Sequence, residues 1–424
     1  MSLRRVAMIA TLATLALVAP LTAAAAPPPS STPDQVSTYR VEGVGTPAER
    51  TAVAREGVDV LGGGHDYLEI RATAEEADRL RATGLPLVQL PLPEFPALPL
   101  AGAFPPGFTG YHTYDELTTE LRTIAETHPD VVSLSSYGRS FEGRSLPLVK
   151  ISDAAGIDEN EPEVLFSCAQ HAREHLTVEM CLHIVQRLAD GYGTDPAITE
   201  LVGSREVWVM PMVNPDGAEY DTERGVFALW RKNRQPTPGS SQIGTDLNRN
   251  WDTRWACCGG SSSNPASDTY RGPSPFSAPE TAQIRDWVNS RVIDGRQQIT
   301  AHIDFHTFSE LVLWPFGYTT DDTAPGLDAA DARTFRLLGE ELAGTNGYTP
   351  QQASDLYITD GSVSDWMWAE HRIWSFTFEM YPVSQQQGGF YPPDTEIKRE
   401  TERNDDAVDL LLGRAACVPC GARP

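Results

Sequence analysis

The run Val164-Leu165-Phe166-Ser167-Cys168, followed after Ala169-Gln170 by His171-Ala172-Arg173-Glu174-His175, decides how the chain reads. Five mainly apolar residues are too few for a helix and have no polar alternation, so they predict a strand buried on both faces. A polar cluster directly behind such a strand lies at its carboxyl end, where open α/β sheets collect their sites. Similar runs recur at Glu206 to Pro211, Ile299 to Asp304, Leu311 to Pro315 and Trp374 to Phe378. Between them are helical patterns: an amphipathic stretch from Tyr114 to His128, a helix capped by Thr177 and running to about Leu188, and another from Pro279 to Val292. Such alternation predicts an α/β fold, a mixed, largely parallel twisted sheet with helices on both faces, spanning 109–412. No internal repeat is present.

Upstream, residues 39 to 90 read as a small α+β unit in the order βαββαβ, the core of a 27–90 segment. Thr46-Pro47 opens its first helix and Thr73 caps its second, which Gly84 ends; Gly62-Gly63-Gly64 is the expected turn between the second and third strands. Residues 91–108 are Pro-rich without periodicity and read as a linker, and 413–424 form a tail carrying two cysteines. At the start, Arg4 and Arg5 precede the apolar run Val6 to Ala19, and Ala23 to Ala26 offers an A-x-A cleavage site. This predicts a signal peptide over 1–26, because the run falls short of the ~20 residues a membrane span needs. The expected location is secreted, with no membrane association once the signal is removed.

The chain has 424 residues, 40% apolar and 21% charged, enough for a sizeable core beside a small domain. A net charge of −25 spread along the chain argues against a nucleic-acid partner, which would need a basic face. Six cysteines in an exported chain permit disulfides. Cys257 and Cys258 with Cys417 and Cys420 could tie the tail to a loop; a zinc ribbon is disfavoured because adjacent cysteines are not a CxxC half-site.

His171 to His175 supports two metal readings. In one, His171 and Glu174 are ligands from a loop behind the strand. In the other, the five residues lie in a helix, with His171 and His175 as ligands and Glu174 as base, which would make His175 indispensable and His306 dispensable. The run His302-Ile303-Asp304-Phe305-His306 bears on the choice. His306 ends a strand facing loops and supplies a third ligand; His₂Glu with one open position is the catalytic zinc pattern. His302, in the strand interior, reads as a core or supporting histidine.

Further motifs follow in order: Asn214-Pro215-Asp216-Gly217, Trp230-Arg231-Lys232, Asn248-Arg249-Asn250-Trp251, His306-Thr307-Phe308-Ser309, Tyr357 and Phe376-Thr377-Phe378-Glu379. With His171-x-x-Glu174 they resemble the zinc carboxypeptidases of the carboxypeptidase A type over about residues 109 to 412. The small upstream unit resembles, in pattern only, the activation domain that precedes such enzymes. The resemblance implies one Zn²⁺ per chain on His171, Glu174 and His306, and release of single residues from the C-termini of peptides or proteins. It implies Glu379 as the base that takes a proton from water and Arg231 as a stabiliser of charge on the carbonyl oxygen. Arg249, with Asn248 beside it, would take the substrate's free carboxylate in a bidentate grip. Tyr357 would close over it from a mobile loop, and Arg173 would reach the next subsite; Asn214 to Gly217 reads as a structural turn.

By the same resemblance Ser364 falls at the pocket-floor position that family members use to choose the terminal side chain, and serine favours neither apolar nor basic residues. Leu313, Leu356, Thr359 and Thr377 would give a moderately apolar lining, while Asp304 and Asp360 could attract a base. Broad specificity follows, with apolar and aromatic residues preferred and Lys or Arg tolerated. Phe308 stands where the family it resembles often has tyrosine, so a hydroxyl contact would be lost. Between Arg81 and Arg122 there is no Lys or Arg, so an activating protease would prefer apolar residues such as Leu100 or Phe104. The chain is expected to be monomeric. The rival readings are a zinc peptidase acting on cell-wall peptides, for which no motif speaks, and an inactive peptide-binding homologue, which the full set of ligands and base opposes.

Overall fold

A computed structural model describes residues 36–91, 104–223 and 227–421. The signal-peptide segment and most of the Pro-rich linker lie outside these residues. The small N-terminal unit comprises β1 (Val36–Glu42), α1 (Pro47–Ala54), β2 (Asp59–Gly63), β3 (Tyr67–Thr73), α2 (Ala74–Ala82) and β4 (Leu87–Gln89). Its strands lie in the order β2-β3-β1-β4, every pair antiparallel. Both helices start with reciprocal capping boxes, Thr46 with Glu49 and Thr73 with Glu76. The glycines depart from expectation: Gly62 and Gly63 belong to β2, past a bulge after Val60, and the turn follows them. A Cβ on Gly62 would stand 2.0 Å from Ser309 Oγ, so the missing side chain lets this strand approach the larger domain.

The larger domain is built on an eight-stranded sheet. Its strands are β5 (Val132–Arg139), β6 (Ser145–Ile151), β7 (Glu163–Cys168), β8 (Glu206–Met210), β11 (Ile299–Thr307), β12 (Leu311–Trp314), β13 (Thr349–Gln352) and β14 (Trp374–Met380); β9 (Val292–Ile293) and β10 (Arg296–Gln297) form a separate ribbon. The order is β13-β12-β14-β11-β7-β8-β6-β5. The four central strands run parallel, while β12 and β6 run antiparallel to their central neighbours. Side-chain alternation shows why both faces are covered. Val164, Phe166 and Cys168 of β7 enter one core with α3 (Tyr114–Thr127), α4 (His175–Gly191) and α8 (Ala329–Asn346); Leu165 enters another with α7 (Pro279–Ser290) and α10 (Val363–His371). On the second face the lining turns polar toward one end, where Ser167, His302, Asp304, His306, Ser375, Thr377 and Glu379 share the alternation of three adjacent strands.

Thr177 does not cap its helix. α4 begins two residues earlier with Glu174 at the N-cap, whose carboxylate makes no capping bond because it is used elsewhere. The Thr177 hydroxyl instead donates to the Glu174 carbonyl at 2.7 Å and accepts the Ala169 N–H at 2.9 Å, closing the loop between β7 and α4. The cysteines pair locally, Cys168 with Cys181, Cys257 with Cys258 and Cys417 with Cys420, so no disulfide ties the tail to a loop. Phe104 and Phe108, assigned from composition to the linker, are buried in the main core beside Tyr111; Phe104 lies edge-on to His175 at 5.0 Å.

Candidate active site

Three donor atoms converge where β7 and β11 end. Nδ1 of His171 lies 2.9 Å from one Glu174 carboxylate oxygen and 3.0 Å from Nδ1 of His306, which lies 3.0 Å from the other Glu174 oxygen. Each imidazole has its far nitrogen against a carboxylate: His171 Nε2 is 3.2 Å from Asp246 and His306 Nε2 is 2.5 Å from Asp304. Protons held at those far nitrogens leave both Nδ1 lone pairs facing a shared carboxylate, an arrangement of three donors with no hydrogen among them. That donor set fits zinc in a His₂Glu site. Although burial pushes the Glu174 carboxyl up, the two histidines hold it well below the usual carboxylate range.

His175 takes no part. Its Nε2 pairs with Asp221 at 3.0 Å under the Phe104 ring. His302 lies between the hydroxyls of Ser167 and Ser375, each at 2.8 Å, and burial lowers its pKa to about 4, so it is a neutral core residue. The Ser167 hydroxyl also donates to Asp304, linking His302 to the carboxylate that orients His306. Two further carboxylate groups stand close together. One, Asp158, Glu163 and Glu206, is paired with Arg291 and Lys150; the other, Asp153, Glu159 and Glu161, is partly exposed and contains no histidine.

Glu379 is opposite His306 in the parallel register of β11 and β14 and lines the cavity with His171 and Glu174. Burial pushes its carboxyl up to about 8, against the opposing pull of His306. Arg231 lies on the same wall, its Nε bonded to Asp246 at 3.0 Å. Asp246, absent from the sequence reading, thus joins a ligand histidine to a cavity arginine. It also caps the short turn that presents Asn248 and Arg249, accepting the Asn248 N–H at 3.0 Å. An aspartate two residues ahead of Asn-Arg-Asn carries that local turn signal, but its link to His171 spans 75 residues.

Arg249 donates to the carbonyls of Gly260 and Asn248 at 2.9 and 2.7 Å and to the Tyr357 hydroxyl at 2.9 Å. All three partners are neutral, so among the described residues this buried guanidinium has no carboxylate partner while it lines the cavity. Asn248 also lines it, with its side-chain oxygen accepting the Val363 N–H. The expected structural role of Asn214 fits its position: it caps a helix turn at Gly217 and bridges the Gln170 and Lys232 carbonyls.

The cavity measures about 70 Å³. Leu313, Leu356, Thr359, Ser364 and Thr377 line it, as does Asp365, whose carboxyl is pushed up to about 7 by burial. Ser364 and Thr377 hydrogen-bond to each other at 2.9 Å. Asp304 and Asp360, expected to attract a basic side chain, are not in the lining. Asp304 is used by His306, Ser167 and Gln170, and Asp360 by the Cys258 and Gly260 N–H groups and the Ser261 hydroxyl.

The N-terminal unit closes one side. Val60 and Leu61 line the cavity, and Asp59 sits 2.6 Å from Arg173 and 3.6 Å from Arg231. Burial pushes the Asp59 carboxyl up, yet Arg173 and Arg231 bring it below its ordinary value. Arg173, expected at an outer subsite, is fully buried between this contact and the Phe390 ring, 3.9 Å from its centroid, and does not line the cavity. Tyr357 is held in the same interface: it shares a core with Val60, and the following residue, Ile358, bonds the Thr51 hydroxyl through its N–H.

Residues 117–407 match the profile of the family described as zinc carboxypeptidase. A zinc carboxypeptidase from Saccharothrix mutabilis subsp. capreolus is 51% identical over 436 residues, covering 98% of this chain and 97% of its own. Mouse carboxypeptidase A2 is 34% identical over 292 residues, 68% of this chain and 66% of its own length. Among solved structures, carboxypeptidase A from Helicoverpa armigera superposes with a TM-score of 0.74 over 92% of this chain and 98% of its own, at 23% identity, a likeness of fold.

Proposed function

Because the chain belongs to the zinc carboxypeptidase family, we propose that it is a secreted, monomeric zymogen. Once cut, it would use one zinc on His171, Glu174 and His306 to release single C-terminal residues from peptides and proteins. The observation that carries this reading is Arg249, a cavity guanidinium with no acidic partner among the described residues, in a pocket that His171 and Glu174 of the metal-ligand triad also line. A bidentate donor of this kind recognises a carboxylate and gives no reason to bind mid-chain peptide.

Zinc, when bound, polarises the scissile carbonyl and acidifies water. Around it the side chains divide the work. Glu379, with its carboxyl raised by burial, is matched to accept and return a proton near neutral pH. Arg231 offers its remaining N–H groups to developing negative charge, and Asp246 fixes its plane. Arg249, Asn248 and Tyr357 hold the terminal carboxylate. The terminal side chain enters a lining of Leu313, Leu356, Thr359, Ser364 and Thr377, which suits apolar and aromatic residues. Besides Glu174 and Glu379 the lining holds, among the described residues, one acid, Asp365, which already accepts the Gly317 N–H and whose carboxyl is raised by burial, so it supports tolerance of Lys or Arg rather than preference for them. A preference for Arg over Phe of about a hundredfold exceeds what such a pocket can supply and would overturn the broad reading.

The zymogen reading is supported by Asp59, which occupies Arg231 from the N-terminal unit, and by Leu61 at the cavity wall. Burial of Phe104 in the main core makes it unsuitable for the activating cut and favours the linker ahead of it, which contains Leu100. The test is release from blocked dipeptides ending in Phe, Leu, Lys, Arg and Glu by the processed protein, with and without a chelator. Metal-dependent release that disappears in Glu379→Gln supports the reading; no release by zinc-loaded processed enzyme rejects it.

A further inference from the structure

The Gly260 carbonyl that accepts Arg249 Nε belongs to an unusually constrained loop. Arg254, Ala256 and Gly259 all have positive φ, 54°, 59° and 80°, and between them lies the disulfide of the adjacent residues Cys257 and Cys258. Non-glycine residues in that region cost of order 1–3 kcal/mol each unless the surroundings impose them. The covalent ring and Asp360 both hold the part of the loop that carries Ala256 and Gly259. The fully buried Asp360 carboxylate accepts the N–H groups of Cys258 at 3.2 Å and Gly260 at 3.0 Å, and the Ser261 hydroxyl. The loop also packs backbone to backbone on the segment after Tyr357, since a Cβ on Gly260 would lie 2.4 Å from Thr359 Cα and 2.6 Å from the Ile358 oxygen. One carboxylate and one ring therefore fix the acceptor behind Arg249 and pack on the chain that carries another of its three partners, Tyr357.

We propose that Asp360 and the Cys257–Cys258 disulfide are positioning residues for Arg249. They hold the Gly260 carbonyl where it locks the guanidinium plane, so that the remaining N–H groups face an incoming carboxylate. The inference rests on the carboxypeptidase reading of Arg249 and adds what aims it. Opening the ring frees the left-handed residues, lets the Gly260 carbonyl turn, and returns rotational freedom to Arg249 that ligand binding must then remove.

The experiment uses the full chain, processed in its linker, as wild type, as Cys257→Ala/Cys258→Ala and as Asp360→Asn. It records kcat and KM on a blocked dipeptide ending in Phe, inhibition by 3-phenylpropanoate and 3-phenylpropanamide, and thermal melts to establish folding at the assay temperature. The expected result is a rise in KM and in the inhibition constant of the carboxylate by about tenfold, the size of one charge-assisted hydrogen bond. The kcat stays within twofold and amide inhibition is unchanged. Unchanged carboxylate binding in a folded variant overturns the proposal, as does equal weakening of carboxylate and amide, which marks general loosening of the pocket. If the double cysteine variant does not fold, Asp360→Asn decides alone. Wild type that binds the carboxylate selectively but releases no terminal residue rejects the carboxypeptidase reading while leaving the positioning test in force.

Discussion

Replacing Asp59 with asparagine removes one charge from a buried contact and leaves the shape of β2 intact. The wild-type carboxylate lies 2.6 Å from Arg173 and 3.6 Å from Arg231, with Asp59 and Arg173 both sealed from solvent. Breaking a buried pair by neutralising one partner costs about 3–5 kcal/mol. Arg231 keeps Asp246, so the lower end applies, about 3 kcal/mol, while Arg173 retains the Leu229 carbonyl at 3.4 Å and the Phe390 face. At 1.4 kcal/mol per tenfold, the open population of the uncut chain rises roughly a hundredfold. The assay is background hydrolysis of a blocked Phe-terminated dipeptide by uncut, zinc-loaded protein, compared with the same preparation after cutting. Background activity climbs about two decades toward the processed value, while the processed value itself is unaffected. A folded variant with wild-type background would refute the claim that this ion pair holds the N-terminal unit over the site.

Asp246→Asn and Asp304→Asn each weaken zinc binding by about 10–100-fold, because each removes the acceptor that orients a ligand histidine; competition with a chromogenic chelator measures it, and unaltered affinity contradicts the assignment. Glu379→Gln keeps the metal and lowers kcat by about 10²–10⁴ with little change in KM, read from steady-state kinetics alongside metal analysis. Buried His302 has a folded pKa near 4, below its unfolded value, so it contributes stability above about pH 6.5 that is lost as pH falls from there toward 4. His302→Gln therefore flattens the denaturation midpoint across that window, and an unchanged acid limb argues against the buried neutral imidazole.

The sheet was legible because its central strands are buried on both faces, which leaves short uninterrupted apolar runs such as Val164 to Cys168. His306, next to last in the longest strand, pointed to the site, because a strand's end fixes where the next side chains project. What escaped was long-range or depended on a partner. Asp304 reads as a pocket acid, but its carboxylate is taken by His306, Ser167 and Gln170, the last two 137 and 134 residues away. Asp246 and Asp59 act on residues 75 and 114 positions away, and no local pattern marks those links, although Asp246 carries a turn signal of its own. Thr177 carries a sound capping signal, but Glu174 took the N-cap because its carboxylate was needed in the triad. The cysteines closed short loops, which cost less chain entropy than joining the tail to residue 257.

His306 and Glu379 share one rung of adjacent parallel strands, whereas Arg249 and Tyr357 stand outside the sheet, Arg249 closing the 3-10 turn Leu247–Arg249 and Tyr357 just past the four-residue helix Ala353–Leu356. Strand spacing of about 4.8 Å is common to all sheets and is among the last features to yield when a protein loosens; loops open at far smaller free energies. Mild heat or denaturant would therefore damage the two functions in sequence. The enzyme would first lose its grip on chain ends, behaving as a hydrolase with poor substrate capture, and would lose bond cleavage itself only when the central strands part.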